Sequence, residues 1–343
     1  MMKKIFSKMI LVMVAALAVT GLAGCGNGNG NATAEQKKDS PLKVIFYPNE
    51  SAAEFEKSRD ALKDIISDAT GRKVKIVTTT DYNIVIESIA NGQADLALMG
   101  AEGYIQAHKK NPDVKPIVTN SGASGTLEDA LYYSFIAVKE ENEKNYQSGD
   151  GYTIDPIKGK TFSFVSNSST SGFKVPSSAI VKEFGLKDSD ELINEGKFFD
   201  KVLFGGSHQG SAVNLLKGDA DAAAFMNLPQ YFDVADGEEN KTGMLYQVKD
   251  DAEAPFDTVR GEKARVILST PVLNAPIAAN TKVMSQKEID QVVEALTSKE
   301  VAENEDIFAP KDSDQAALFV KEGDERFLEV QDKFYDPIRE LSK

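Results

Sequence analysis

Three consecutive hydroxyl side chains, Ser169, Thr170 and Ser171, are the residues of this chain best placed for ligand chemistry. They follow residues 161–165, whose β-branched and aromatic side chains predict a strand, and they precede a predicted helix with Pro176 near its start. The start of a helix offers unpaired backbone N–H groups and the positive end of the helix dipole, and hydroxyls add further donors. This stretch therefore predicts a site for a tetrahedral oxyanion such as a phosphoryl group. The alternative is that the hydroxyl run only caps the helix.

An internal similarity adds two further candidates. Residues 81–100, DYNIVIESIANGQADLALMG, resemble residues 207–226, SHQGSAVNLLKGDADAAAFM. In each segment a polar turn opens a predicted helix, a glycine ends it, and an Ala-Asp pair leads into an apolar strand. Tyr82 and His208 hold the same place in the two segments, and an imidazole N–H can donate to an anion. The alternatives are two ordinary strand–helix units and a polar residue at a helix start.

The elements that must position these residues alternate between strand and helix from Leu42 onward. Residues 42–47, 73–77 and 94–99 are predicted strands, each followed by a predicted helix, which favours an α/β fold with a parallel sheet. Ligands of such sheets bind at the carboxyl ends of the strands. These ends carry Tyr47, Tyr82 and Met99, so Tyr47 and Met99 join the candidate ligand-binding residues.

Two further predicted strands, residues 132–138 and 265–270, are interpreted as crossings between two lobes. The first lobe is predicted to hold residues 41–137 and 268–343, and the second residues 138–267. Residues 283–343 are predicted to be helical and to pack on the first lobe. A two-stranded hinge of this kind predicts closure of the two lobes around a ligand in the cleft between them.

The N-terminus predicts export. Residues 1–24 hold a basic start and an apolar stretch too short to span a bilayer, as in a signal peptide. Leu22-Ala23-Gly24-Cys25 resembles a bacterial lipobox, and Cys25 is the only cysteine of the chain. We therefore expect lipidation at Cys25, with residues 25–40 as a flexible tether, on the extracytoplasmic face of a bacterial cell membrane. The alternative is an ordinary secretory signal in which the cysteine occurs by chance.

Charge and motif content exclude several functions. The formal net charge is −14, and loss of residues 1–24, with three lysines and no acid, makes the mature chain more negative. Such a chain is not expected to bind nucleic acid. The sequence lacks a GxSxG elbow, a phosphate loop, HExxH and a dinucleotide fingerprint. We therefore predict a protein that is not an enzyme and needs no metal or other cofactor.

With these residues assembled, the chain resembles the substrate-binding lipoproteins of phosphate, phosphite and phosphonate ABC importers, the PhnD-like family. The segment SSTSGFKVP, residues 168–176, carries the most specific part of the resemblance. The resemblance implies a two-lobed type II periplasmic-binding-protein fold and a small anionic ligand. It implies phosphoryl contacts from residues 169–171, Tyr82 and His208. The implied partners are an ABC permease and its ATPase, and we expect a monomer.

The resemblance also has departures. Aminophosphonate-binding members carry carboxylates that face the substrate amine, and residues 225–230 and 273–276, the corresponding segments here, contain no acid. This predicts a ligand without an amine, such as phosphite, phosphate or a short alkylphosphonate. One alternative is another small organic ligand, an amino acid or vitamin precursor, against a wall of Tyr47, Tyr82, Met99 and Phe225. The other is a surface adhesion or signalling lipoprotein.

Overall fold

The computed structural model describes residues 40–49, 52–313 and 315–341. The predicted signal peptide and Cys25 therefore lie outside the described residues, as does the tether apart from Ser40. The described helices are α1 (Glu56–Thr70), α2 (Tyr82–Ala90), α3 (Ala101–Lys110), α4 (Val175–Phe184), α5 (Asp190–Ile193), α6 (His208–Leu216), α7 (Gln286–Leu296), α8 (Lys299–Ala302) and α9 (Asp336–Glu340). A short π-helical segment, Thr170–Lys174, runs directly into α4.

The strands form two large sheets and two short ladders. They are β1 (Leu42–Phe46), β2 (Val74–Val77), β3 (Leu96–Leu98), β4 (Val114–Asn120), β5 (Leu131–Lys139), β6 (Gln147–Ser148), β7 (Gly151–Tyr152), β8 (Thr161–Phe164), β9 (Lys201–Phe204), β10 (Ala222–Met226), β11 (Phe232–Asp236), β12 (Leu245–Val248), β13 (Lys263–Leu273), β14 (Pro276–Asn280), β15 (Phe308–Pro310), β16 (Phe319–Lys321) and β17 (Phe327–Glu329).

The two large sheets, of six and seven described strands, share the arrangement of their first five strands. The first sheet has the order β2-β1-β3-β14-β4-β17, and the second has β9-β8-β10-β5-β13-β12-β11. In the first, β1 is parallel to β2 and β3, whereas β14 runs antiparallel to β3 and β4. In the second, β8 is parallel to β9 and β10, whereas β5 runs antiparallel to β10 and β13. The predicted two-lobed α/β fold is confirmed.

Local sequence explains where the elements begin and end. Helix α1 buries Leu62 and Ile66, four residues apart on one face, and ends at Gly71 in the left-handed conformation. Helix α7 begins with a capping box, in which the Ser285 side chain and the Glu288 side chain each satisfy a backbone N–H of the first turn. The central strands are apolar on both faces, as Leu96–Leu98 illustrates, because helices cover both sides of the sheet.

The chain passes between the sheets twice. It leaves the first sheet after β4 and enters the second at β5, and it returns through Asn274 and Ala275, between β13 and β14. Each sheet thus receives one strand, β5 or β14, immediately after a crossing. The lobe boundaries at 137/138 and 267/268 stay predictions. Among the described residues, no helix combines the length and apolarity needed to cross a bilayer.

The prediction for residues 283–343 was wrong in part. Helices α7, α8 and α9 are present, but three short strands lie between α8 and α9. Strand β17 extends the first sheet by pairing with β4, where Phe327 lies opposite Asn120. Phe308, Phe319 and Phe327 pack with ring centroids 5.2–5.3 Å apart. Strand pairing and aromatic packing therefore determine the secondary structure between α8 and α9, where the sequence had predicted helix.

Candidate functional site

Four helical segments begin at the wall of one cavity of about 530 Å³. Tyr82 is the first residue of α2, Gly100 precedes α3, Ser169 precedes the π-helical segment, and His208 is the first residue of α6. All four line the cavity. The first backbone N–H groups of a helix have no partner within the helix, and each helix start carries partial positive charge. The cavity therefore collects donors and positive dipole ends from both lobes.

Each hydroxyl of the 169–171 run receives a hydrogen bond from the protein. The backbone N–H of Gly172 donates to Ser169 Oγ over 3.1 Å, which caps the π-helical segment. The backbone N–H of Glu102, in α3, donates to Thr170 Oγ1 over 2.9 Å. A hydroxyl that accepts from an N–H still has its own proton to donate. Capping and anion binding are therefore compatible at these residues.

His208 completes this arrangement at Ser171. The backbone N–H of Met226 donates to His208 Nδ1 over 3.1 Å, so Nδ1 is the acceptor and the proton of the neutral ring is on Nε2. Nε2 lies 3.3 Å from Ser171 Oγ. Burial lowers the pKa of His208 to about 3, because the charged imidazolium would lose its hydration. His208 is thus a neutral donor, which leaves the Ser171 proton available for the cavity.

The first lobe faces these groups with two tyrosines and an asparagine. The rings of Tyr47 and Tyr82 pack with centroids 4.3 Å apart. The Tyr82 hydroxyl donates to Asn49 Oδ1 over 2.9 Å, and the backbone N–H of His208 donates to the same oxygen over 3.1 Å. Asn49 therefore links the start of α2 to the start of α6 across the cleft.

Two glycines allow close approach at this cavity, Gly100 between the two lobes and Gly103 within the first lobe. A Cβ atom on Gly100 would lie 2.8 Å from Thr170 Oγ1. On Gly103 a Cβ would lie 1.4 Å from the Tyr47 hydroxyl oxygen. Any side chain at either position would displace a cavity residue, so the sequence Gly100-Ala-Glu-Gly103 is a packing requirement of this site.

Further hydrogen bonds cross the cleft beside the cavity. Ser168 Oγ, from the second lobe, donates to Asn83 Oδ1 over 3.0 Å and lies 3.3 Å from Gln106 Oε1. The Tyr231 hydroxyl contacts the Glu54 carboxylate. The structure therefore has the two lobes in direct contact, as in a closed state of a two-lobed binding protein.

The charges at the cavity are unusual for an anion site. The described lining residues include no lysine or arginine, but they include Asp129, Glu322 and Glu325. Each of these acids already has a partner. The backbone N–H and hydroxyl of Ser124 bond Asp129, Lys311 pairs with Glu322 over 2.8 Å, and the backbone N–H groups of residues 322 and 323 donate to Glu325 Oε2. Among the described lining residues, the groups that could hold an anion are neutral donors and helix starts.

Six of the eight predicted site residues line this cavity: Tyr47, Tyr82, Ser169, Thr170, Ser171 and His208. Met99 is placed differently from the prediction. Its side chain is fully buried in the core cluster that includes Ile45 and Tyr104, and it is not among the described residues that line the cavity. Cys25 lies outside the described residues. The ligand contacts themselves stay predictions.

Sequence reasoning missed Asn49 as a site residue. It follows Tyr47-Pro48 at the end of β1, a position where cavity residues were expected, but its link to His208 depends on tertiary structure. The Ser168 contact with Asn83 and Gln106 was also missed, since nothing local in the sequence connects these residues.

Comparison with known proteins adds a family to this geometry. The family model described as "ABC transporter, phosphonate, periplasmic substrate-binding protein" matches residues 44–335 of the chain. The chain is also 27% identical over 175 residues to the phosphate-import protein PhnD of Mycolicibacterium smegmatis. That alignment covers 51% of each protein, so it spans about half the length of the curated relative.

Two solved structures resemble the fold. One is PhnD1 from Prochlorococcus marinus (MIT 9301) in complex with methylphosphonate, with a TM-score of 0.63 and 18% identity over 88% of this chain and 96% of that one. The other is a binding-protein component of an ABC phosphonate transporter from Pseudomonas aeruginosa, also with a TM-score of 0.63 and 18% identity, over 88% and 85% of the two chains. At this identity the likeness concerns the fold, and it agrees with the predicted type II periplasmic-binding-protein architecture.

Proposed function

The chain belongs to the family of periplasmic substrate-binding proteins of phosphonate ABC transporters, and we propose that it captures a small phosphoryl-type anion in the cavity between its lobes. The ligand is a phosphonate, phosphite or phosphate, and the protein delivers it to an ABC permease driven by an ATPase. Binding and closure need no catalytic step, metal ion or cofactor.

The observation that carries this proposal is the hydrogen-bond pattern of the 169–171 run. Gly172 N–H donates to Ser169, Glu102 N–H donates to Thr170, and His208 Nε2–H faces Ser171. Each hydroxyl therefore has one proton left for a ligand that is rich in acceptors. A phosphoryl group offers three oxygens that only accept when it is fully ionised.

The strength of such a site is adequate for capture from a dilute medium. Hydrogen bonds to a charged group contribute about 1.5–3 kcal/mol each. Four or five of them can provide the roughly 8 kcal/mol that corresponds to micromolar affinity, after part of the gain is lost to desolvation and closure. Neutral donors supply this binding without the long-range attraction that lysine or arginine would give.

Selectivity against an amine follows from the acids of the cavity. An ammonium brought into a closed cleft needs a carboxylate, because a buried unpaired charge is costly. Asp129, Glu322 and Glu325 are each bonded to donors of the protein itself. We therefore propose a preference for phosphite, phosphate or a short alkylphosphonate over 2-aminoethylphosphonate.

Calorimetry tests both parts of the proposal. The full chain is purified in detergent, stripped of ligand by unfolding and refolding, and titrated with phosphite, phosphate, methylphosphonate and 2-aminoethylphosphonate at one pH and salt concentration. We expect tighter binding of at least one of the first three than of the aminated ligand. Tightest binding of 2-aminoethylphosphonate would contradict the selectivity, and binding of none of the four would contradict the phosphoryl ligand.

We further propose that the protein is a monomer anchored by lipid at Cys25 on the extracytoplasmic face of the membrane. Support comes from the Leu22-Ala23-Gly24-Cys25 sequence and from the lone cysteine. Replacing Cys25 with Ser should release the protein from the membrane or leave it unprocessed. A variant that stays acylated and membrane-bound like the parent would show that the anchor lies elsewhere.

A further inference from the structure

The side-chain amide of Asn49 is held in one orientation. Its Oδ1 accepts the Tyr82 hydroxyl proton over 2.9 Å and the His208 backbone N–H over 3.1 Å. A backbone N–H can only donate, so the amide atom that faces it must be the oxygen and not the NH₂ group. The side chain is 5% exposed, and it therefore cannot turn without breaking two buried hydrogen bonds.

This orientation decides what Asn49 offers to the cavity that it lines. With Oδ1 occupied by two donors, the remaining functional group is the Nδ2 amide, which has two protons. Because Tyr82 gives its hydroxyl proton to Asn49, the Tyr82 side chain does not itself present that proton to a ligand. The sequence predicted a ligand contact from Tyr82. The Tyr82 hydroxyl instead donates to Asn49, and Asn49 is the residue left with protons to donate.

We propose that Asn49 is the anion-binding donor of the first lobe and that its Nδ2 amide bonds a phosphoryl oxygen. The inference rests on the proposed function. It makes Asn49 a specificity residue for oxyanions, because an amide NH₂ accepts nothing and bonds only ligand atoms that have free lone pairs. It also ties ligand recognition to closure, since the same side chain joins α2 and α6.

Replacement of Asn49 by Asp separates the donor from the link. The variant Asn49→Asp keeps an oxygen that accepts from Tyr82 and His208, but it replaces the NH₂ group with a second acceptor. Asn214→Asp makes the same change at a partly buried asparagine of α6 that is not among the described residues lining the cavity, and it is the matched control. Asn49→Ser removes the amide without adding charge. Each full-length protein is titrated calorimetrically with methylphosphonate, and its thermal unfolding is recorded without ligand.

We expect Asn49→Asp to bind at least tenfold more weakly than the parent and Asn49→Ser about tenfold more weakly. Asn214→Asp should stay within fivefold, with all variants folded. A loss below tenfold in Asn49→Asp, or an equal loss in Asn214→Asp, would overturn the donor role. If Asn49→Asp does not fold, the binding of Asn49→Ser decides. If the parent protein binds none of methylphosphonate, phosphate and phosphite, the proposed function is contradicted, and the donor role of Asn49 with it.

Discussion

In the two copies of the internal repeat, a helix start and a strand occupy the same position in each sheet. The side chains at the two helix starts, however, make different contacts at the cavity. Helix α2 and β3 form the first copy, and α6 and β10 form the second. In both copies an aspartate before the strand bonds a neighbouring strand. Asp95 Oδ2 accepts from Lys43 N–H over 2.8 Å, and Asp221 Oδ2 accepts from Thr161 N–H over 2.8 Å.

The difference lies at the first helical residue. Tyr82 gives its hydroxyl proton to Asn49, whereas His208 gives its backbone N–H to Asn49 and keeps its ring N–H for Ser171. The same position in the repeat thus supports Asn49 alone in one lobe, and both Asn49 and Ser171 in the other. The matching helices, strands and aspartates preserve the fold in both copies, and the side chain at each helix start determines which cavity groups it bonds.

The largest expected effect is the contrast between two substitutions at these matched positions. His208→Ala removes the ring N–H, whose donation to Ser171 leaves the Ser171 proton available for the proposed ligand, so phosphoryl binding should weaken by about 1.5–3 kcal/mol, roughly ten- to a hundredfold. Tyr82→Phe removes a donor to Asn49, and since the His208 backbone N–H still holds that oxygen, the loss should be about threefold. Calorimetry with whichever anion the parent binds gives both values, and thermal unfolding checks that each variant is folded. Equal losses would mean that the two copies contribute alike.

Local patterns predicted most of the framework and much of the site. The Asp-Tyr and Ser-His turns, the Gly-ended helices and the Ser-Thr-Ser run are short sequence signals, and the structure places the corresponding helix starts at one cavity. Asn49 could not be assigned in this way, because its two partners lie 33 and 159 residues away in the chain. The burial of Met99 in the core could not be predicted for a related reason, since whether a side chain at a strand end faces the cavity or the core depends on the elements packed around it.

The second-largest expected difference between the copies is in the pH dependence of stability, because only the second copy has a histidine at its first helical residue. Burial lowers the pKa of His208 to about 3 in the folded protein, against about 6.5 in an unfolded chain. Below pH 6.5 the unfolded state therefore binds a proton that the folded state does not, so stability falls as the pH is lowered toward 3. From pH 7.5 to pH 5 this costs about 2 kcal/mol.

Urea unfolding without ligand at pH 7.5 and pH 5 measures this cost. His208→Gln stays neutral at both pH values, so it should lose about 2 kcal/mol less than the parent over this range. Carboxylates elsewhere contribute equally to both proteins and cancel in the comparison. The same loss in both proteins would show that the His208 ring is hydrated or charged in the folded state.

The smallest expected effect concerns the shared aspartates. Asp95 is 8% exposed, whereas Asp221 is exposed at the surface. Each aspartate also donates its own backbone N–H to the strand residue that it caps, over 2.9 Å in both copies, so this pair of hydrogen bonds has the same geometry in both copies while the burial differs. Asp95→Ala leaves a backbone N–H without its partner in a buried place and should cost about 2 kcal/mol, whereas water can replace the Asp221 carboxylate at a cost of about 0.5–1 kcal/mol. Urea unfolding of the two variants at pH 7.5 gives the difference of about 1 kcal/mol. If Asp221→Ala lowers the free energy of unfolding as much as Asp95→Ala, both aspartates stabilise their sheets equally. Burial then does not determine the size of their contribution.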